Sequence, residues 1–221
     1  MLEAENLRVT VNSVEALRGV SVVLHPGETV GLLGRNGAGK TTTLRALMGL
    51  LPIVGGAIRY NGREIQALPA HRRAALGIGY MPEDRRLVPQ LTVEENVLVP
   101  AWAIPHLDRQ KRLEVAYDLL PEVADMRTRR ALLLSGGQQK LVALARAVVA
   151  GTRVLLLDEP FEGVAPALSW RLAEVIAALK GDALAVLIAQ SDANYSAQML
   201  DRRCLIERGA NVNAVAKTCA P

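Results

Sequence analysis

The chain has 221 residues, half of them hydrophobic and 22% charged, with a net charge of +4. That length holds one large domain with a real core, and that balance excludes a disordered chain. The basic excess is too slight to point to nucleic acid, and no apolar run approaches the roughly 18–20 residues that cross a bilayer.

Aromatic residues make up only 3% of the chain. The core must then be built from Ala, Val, Leu and Ile, which suits helices packed on a buried parallel sheet. No signal peptide is expected at the N-terminus, which opens on alternating apolar and acidic residues.

In chain order, residues 2–11 and 17–24 read as strands joined by a polar turn at Asn12-Ser13. Pro26-Gly27-Glu28 leads into a short apolar strand, Thr29 to Leu33. A glycine-rich loop follows, then a helix from about Gly39 to Met48 that Gly49 ends. Residues 57–60 read as a strand before the Asn61-Gly62 turn, with a helix near 69–76 and a strand at 78–81. Beyond these, strand signals vanish and helical patterns fill 92–99, 108–120 and 137–150. Alternation then returns: a strand at 154–157, a helix at 166–180, a strand at 184–189, a helix at 192–200 and a last strand at 203–207. The residues from Gly209 onward read as weakly structured. The pattern predicts one domain over 1–221, an α/β core of 1–83 and 150–221 interrupted by a helical insert at 84–149.

Gly34-Arg35-Asn36-Gly37-Ala38-Gly39-Lys40-Thr41, with Thr42 after it, matches the phosphate-binding loop G-x-x-x-x-G-K-[ST] between a strand and a helix. The glycines let backbone N–H groups wrap an anion, and the helix start adds positive potential. Lys40 can reach the β- and γ-phosphates, and the Thr41 hydroxyl can hold Mg²⁺. Val154-Leu155-Leu156-Leu157-Asp158-Glu159 is an apolar strand ending in two carboxylates. Such acids are costly there unless a cation meets them. Beside a phosphate loop, Mg²⁺ suits Asp158 and an attacking water suits Glu159.

Leu134-Ser135-Gly136-Gly137-Gln138 stands just before a helix, with Ser135 as its cap and two glycines exposing N–H groups. This is a second phosphate-binding surface in one chain. A head-to-tail sandwich would use it, the Ser135 loop of one subunit closing over the γ-phosphate held by another.

Over nearly its whole length the chain resembles the ATP-binding subunit of ABC transporters: GRNGAGKTT, LSGGQ and LLLDEP stand in that family's order. GIGYMPEDRR, LTVEENV and EPFEGVAP resemble the ATPases of branched-chain amino-acid, urea and amide importers. The resemblance implies a P-loop NTPase core, RecA-like, with a mostly parallel sheet, an antiparallel N-terminal β part and a helical subdomain. It implies ATP and Mg²⁺ as ligands, and transmembrane permease subunits and a second ABC ATPase as partners. It also implies a solute-binding protein acting indirectly, no nucleic acid, and a cytoplasmic place on the inner membrane face through the permease. Gly163-Val164-Ala165-Pro166 then aligns with the D-loop that crosses the dimer interface.

Three positions depart from the common family pattern. Glu83 stands where Gln is usual in the coupling loop, within reach of Mg²⁺ or the attacking water. Ser191 aligns with the switch histidine and can hydrogen-bond a γ-phosphate without carrying positive charge. Val11 fills the slot of the aromatic that stacks on adenine. These departures favour a dimer with two unequal sites, and they keep open a regulatory subunit with weak turnover. A non-transport ABC ATPase is the other alternative, although such relatives usually carry tandem cassettes or a long coiled-coil insertion. Arg72, Arg73, Arg85, Arg86, Arg127, Arg129 and Arg130 read as solvated basic faces, and Trp102 and Trp170 as packing residues.

Overall fold

The structure is a computed structural model that describes residues 1–179 and 183–212. Strands β1 (Leu2–Val11) and β2 (Val14–Leu24) form an antiparallel hairpin. β4 (Gly55–Tyr60) pairs with the other edge of β1, and β5 (Arg63–Glu64) with β4. The larger sheet runs β10-β9-β3-β8-β7-β6. Within it β3 (Thr29–Leu33), β6 (Ile78–Met81), β7 (Val154–Asp158), β8 (Ala185–Gln190) and β9 (Arg202–Glu207) are parallel. Short β10 (Ala210–Asn211) turns back antiparallel on β9.

The central strands β3, β7 and β8 are buried along their whole length. Their continuous apolar runs are what a sheet covered on both faces requires. One face packs with β1, β2 and helix α1 (Lys40–Met48) into an apolar cluster that includes Leu7, Leu17, Leu44 and Leu187. The other packs against α3 (Val93–Ala103), α4 (Arg109–Leu119), α5 (Pro121–Asp125), α6 (Gly136–Ala150) and α7 (Pro166–Ala178). Helix α2 (Ala70–Ala75) precedes β6. Because the strands are parallel, the loops after β3, β6, β7 and β8 all leave from one end of the sheet. That end is where α/β sheets place their ligands.

The α/β class and the order of its main elements match the sequence expectation. Four details differ, each for a local reason. β2 resumes at Val14, because Asn12 and Ser13 at φ 47° and 64° make a two-residue turn that leaves no slack in the hairpin. Helix α3 starts from a Thr92–Glu95 capping box and continues through Pro100 to Ala103. Residues 192–200 form turns, not a helix: the Asp192 carboxylate accepts from Asn194 N at 3.0 Å, a local bond that competes with helical pairing. Past Gly209 the chain forms β10, where the Asn211 side chain bonds Ser21 N and O at 2.7 and 3.1 Å. The weak order expected beyond residue 212, and residue 180 of the helix predicted at 166–180, lie outside the described residues.

Candidate active site

The loop between β3 and α1 curls tightly because Gly39, the cap of α1, takes φ 106°. A Cβ there would lie 2.8 Å from Leu17 Cδ2, so any other residue would meet both strain and a clash. Lys40 opens the helix and is buried, its Nζ donating to Gly34 O at 2.8 Å and Arg35 O at 3.3 Å. It also donates to Ser191 Oγ at 3.1 Å and pairs with Glu159 Oε1 at 3.0 Å. The loop borders a cleft of about 620 Å³ lined by Asn36, Gly37, Gly39, Lys40, Thr41 and Thr42. Glu83, Glu159 and Glu162 form its acidic wall, and Val14, Ala16, Arg18 and Arg208 its other side.

Asp158 is fully buried at the end of β7. Its carboxylate accepts from the Thr41 hydroxyl at 3.0 Å and from Tyr80 OH at 3.3 Å. Burial pushes its pKa up to about 6; the Glu83 and Glu159 charges add to the rise, and the Thr41 and Tyr80 hydrogen bonds oppose it. Burial likewise raises the Tyr80 hydroxyl, with the Asp158 charge adding to the rise. The Asp158 carboxylate and the Thr41 hydroxyl beside it offer oxygen donors to a small hard cation. Among the described residues no group of three or more His, Cys, Asp or Glu side chains could hold a metal by itself. An ion bound at Thr41 and Asp158 would therefore draw its remaining oxygens from a ligand and from water, the usual manner of Mg²⁺.

One step past the strand, Glu159 turns the chain at φ 45° while its N–H reaches Ala189 O at 2.9 Å. Its Oε2 accepts from Ser191 N at 3.2 Å, and Ser191 Oγ lies 2.9 Å from Oε1 and 2.8 Å from Asn36 Oδ1. The structure thus gathers Asn36, Lys40, Thr41, Asp158, Glu159 and Ser191 at the ends of β3, β7 and β8 and the start of α1, with Glu83 also lining the cleft.

Two groups of the sequence-predicted residues do not line this cleft. Val11 packs against the core and does not line the cleft; its hairpin partner Val14, 66% exposed, does. Ser135, Gly136, Gly137 and Gln138 also lie off the cleft, at the start of α6. There Ser135 Oγ accepts from Gln138 N at 3.3 Å and Gln138 Oε1 accepts from Ser135 N at 3.0 Å, a capping box.

Some residues near the site carry no sequence signal. Tyr80 and Lys140 belong to this group, Lys140 donating to Glu159 O and Glu162 O at 2.6 Å each. Arg73 corrects the reading of a solvated basic face: it is 2% exposed and donates to Leu68, Gln66, Ala46 and Leu47 carbonyls, capping the end of α1. Arg85 is also engaged, donating to Gln139 Oε1 at 3.1 Å. Trp102 and Trp170, expected to be packed, are about half exposed, with Trp170 edge-on to Tyr195 at 5.2 Å.

Comparison with known proteins gives a family match described as "ABC transporter" over residues 17–162. The BraG ATP-binding protein for high-affinity branched-chain amino acid transport, from Pseudomonas aeruginosa, is 34% identical, over 95% of this chain and 90% of its own. The LptB ATP-binding protein of lipopolysaccharide export, from Haemophilus influenzae, is 36% identical, over 95% of this chain and 88% of its own. Among solved structures, the bacterial ABC transporter cassette MJ0796 shares this fold at a TM-score of 0.85 and 24% identity, over 96% of both chains.

Proposed function

This chain belongs to the ABC transporter family, and we propose that it hydrolyses Mg²⁺-ATP in the Lys40–Asp158–Glu159 cleft to power a membrane permease. The observation that carries this reading is the 3.0 Å bond from Thr41 to buried Asp158, which joins the phosphate loop to the acidic strand end beside Lys40. The loop N–H groups and the start of α1 hold the phosphates, and Lys40 neutralises the terminal ones. Thr41 and Asp158 would hold Mg²⁺, with Glu83 lining the same cleft; bound there, the ion would offset phosphate charge. Glu159 orients the attacking water and takes its proton, and Ser191 hydrogen-bonds the γ-phosphate. The pair between Lys40 and Glu159, 3.0 Å apart, places the phosphate-binding cation beside the carboxylate that faces the water.

The Ser135–Gln138 loop serves a neighbouring cassette, so the working form is a dimer, with a second ABC ATPase or a second copy. A groove of about 400 Å³ lined by Leu50, Ala74, Val99 and Pro100 supports docking of a permease segment. No helix among the described residues is long and apolar enough to cross a membrane. Attachment to the inner membrane face then comes through that permease.

For the cargo, we read branched-chain amino acids or small amides, delivered by a solute-binding protein. GIGYMPEDRR and LTVEENV and the likeness to BraG support this. Lipopolysaccharide-type export is a second reading, favoured by the equal likeness to LptB. A third, a nucleotide-gated subunit with slow turnover, is favoured by Ser191 in place of a histidine and by a cleft without an aromatic. Purification of the tagged chain from its native membranes tests all three. Two permeases of an importer and hydrolysis abolished by Glu159→Gln support the first. Permeases of a lipid exporter support the second. Turnover unaffected by Glu159→Gln removes the proposed base and leaves the third.

A further inference from the structure

Lys140 has no part in the roles above, yet its side chain is among the largest that are fully buried, at 1% exposure. It stands in the second turn of α6, past the Ser135 cap. Burial holds its ammonium below the ordinary lysine range, with the Arg85 charge adding to the shift and Glu162, Glu159 and Glu83 opposing it. Withdrawing an ammonium from water is expensive, and an apolar residue of similar volume would fill the space without that cost. Its partners explain the position. Nζ donates to Glu159 O and to Glu162 O, at 2.6 Å each. Between those carbonyls the chain makes a tight turn closed by Glu162 N on Glu159 O at 3.2 Å. The turn opens at Glu159 with φ 45°, a conformation non-glycine residues hold only when their surroundings over-determine it.

We infer that Lys140 is the positioning residue of this turn: its ammonium clamps the carbonyls of Glu159 and Glu162 and so aims the Glu159 carboxylate into the cleft. The same side chain ties the turn to the helix whose first residues form the Ser135 loop. The loop offered to a neighbour's nucleotide and the carboxylate serving the chain's own nucleotide are thereby joined through one group. This inference rests on the reading of Glu159 as the base of ATP hydrolysis.

The test uses the full chain, with steady-state ATP hydrolysis, titration of a fluorescent ATP analogue and thermal melting. Lys140→Met is expected to lower kcat by about 10- to 100-fold, because small misplacements of a catalytic group have large kinetic effects. KM and analogue affinity should stay within about twofold of wild type, since Lys140 does not line the cleft. Lys140→Gln, which can still donate but is neutral, should recover part of kcat. A Lys140→Met kcat within twofold of wild type overturns the inference, as does a parallel loss of kcat and affinity. If Lys140→Met does not fold, Lys140→Gln and Lys140→Arg decide. Unchanged kcat in both overturns the inference; lowered kcat with retained affinity supports it. If the wild-type chain is active but insensitive to Glu159→Gln, the reading of Glu159 fails and this inference with it. If Glu159→Gln abolishes turnover and the Lys140 variants do not change it, only this inference fails.

Discussion

Lys40 opens α1 and Ser135 caps α6, and each helix starts beside glycines, yet their surroundings are opposite. Lys40 is buried and engaged by Gly34, Arg35, Glu159 and Ser191, which reach it from three loops. Ser135 is exposed and bonds within its own helical turn. Both starts offer backbone donors and positive potential to an anion. The first adds a buried cation, a carboxylate pair and a cleft, so all of it but a neighbour's covering loop is finished inside one chain. The second adds only a cap and a rigid helix, which suits a surface completed by another subunit. A phosphate-binding helix start becomes a reaction centre only where parallel strands bring further charges to it.

Disabling the site around Lys40 should have the largest effect. Glu159→Gln should lower turnover by about 10²- to 10⁴-fold, the range of a general base, with nucleotide affinity retained. Lys40→Ala should come next in size, weakening ATP binding by about 100-fold through loss of charge-assisted contacts to phosphate. Removing it also strands the buried Glu159 carboxylate, so a lower melting temperature should accompany the weaker binding. Calorimetric titration with ATP and a thermal scan check both. Tight ATP binding by a folded Lys40→Ala chain would mean that the cleft is not the phosphate site.

The unfinished side predicts the reverse pattern. Ser135→Ala removes the cap and should cost about 1 kcal/mol of stability, read by denaturant unfolding. The ATP affinity of the isolated chain should not change, because Ser135 does not line the cleft. Turnover should fall only under conditions where two cassettes associate, and sedimentation run beside the ATPase assay would show this. Loss of affinity in the monomer would make the loop part of the chain's own site.

The two sides were also unequally legible in the sequence. The phosphate loop, the acidic strand end and the LSGGQ cap are contiguous motifs whose chemistry depends on neighbours one to four positions away, so local pattern carries them. What pattern could not carry was pairing at a distance. The bond partners of Tyr80 and Lys140 lie 78 and 19 positions off, and neither residue type announces a role. Arg73 read as surface because its sequence neighbours are basic, while the carbonyls it caps belong to α1, 26 and 27 positions earlier. The 192–200 segment has helical composition, but Asp192 and Asn194 bond each other and end the strand in turns. Val11 was placed by family alignment, whereas the residue that lines the cleft is its register partner Val14.

That last displacement gives the smallest effect and a clean way to sharpen the picture of the finished side. Among the described residues no aromatic lines the cleft, and the apolar side chains lining it beyond the phosphate loop are Val14 and Ala16. A purine extending from the phosphates would lie against them, gaining apolar contact but no ring stacking. Val14→Tyr would supply the ring, and the gain should be about 1 kcal/mol, roughly fivefold in Kd. Val11→Tyr should do less, because its side chain packs against the core and a larger ring there must displace neighbours. Titration of ATP, and of triphosphate without a base as a control, separates the outcomes. Tighter ATP binding with unchanged triphosphate binding in Val14→Tyr places the base on the hairpin end of the cleft. A gain from Val11→Tyr alone would put the base over the first strand and return the stacking position to Val11.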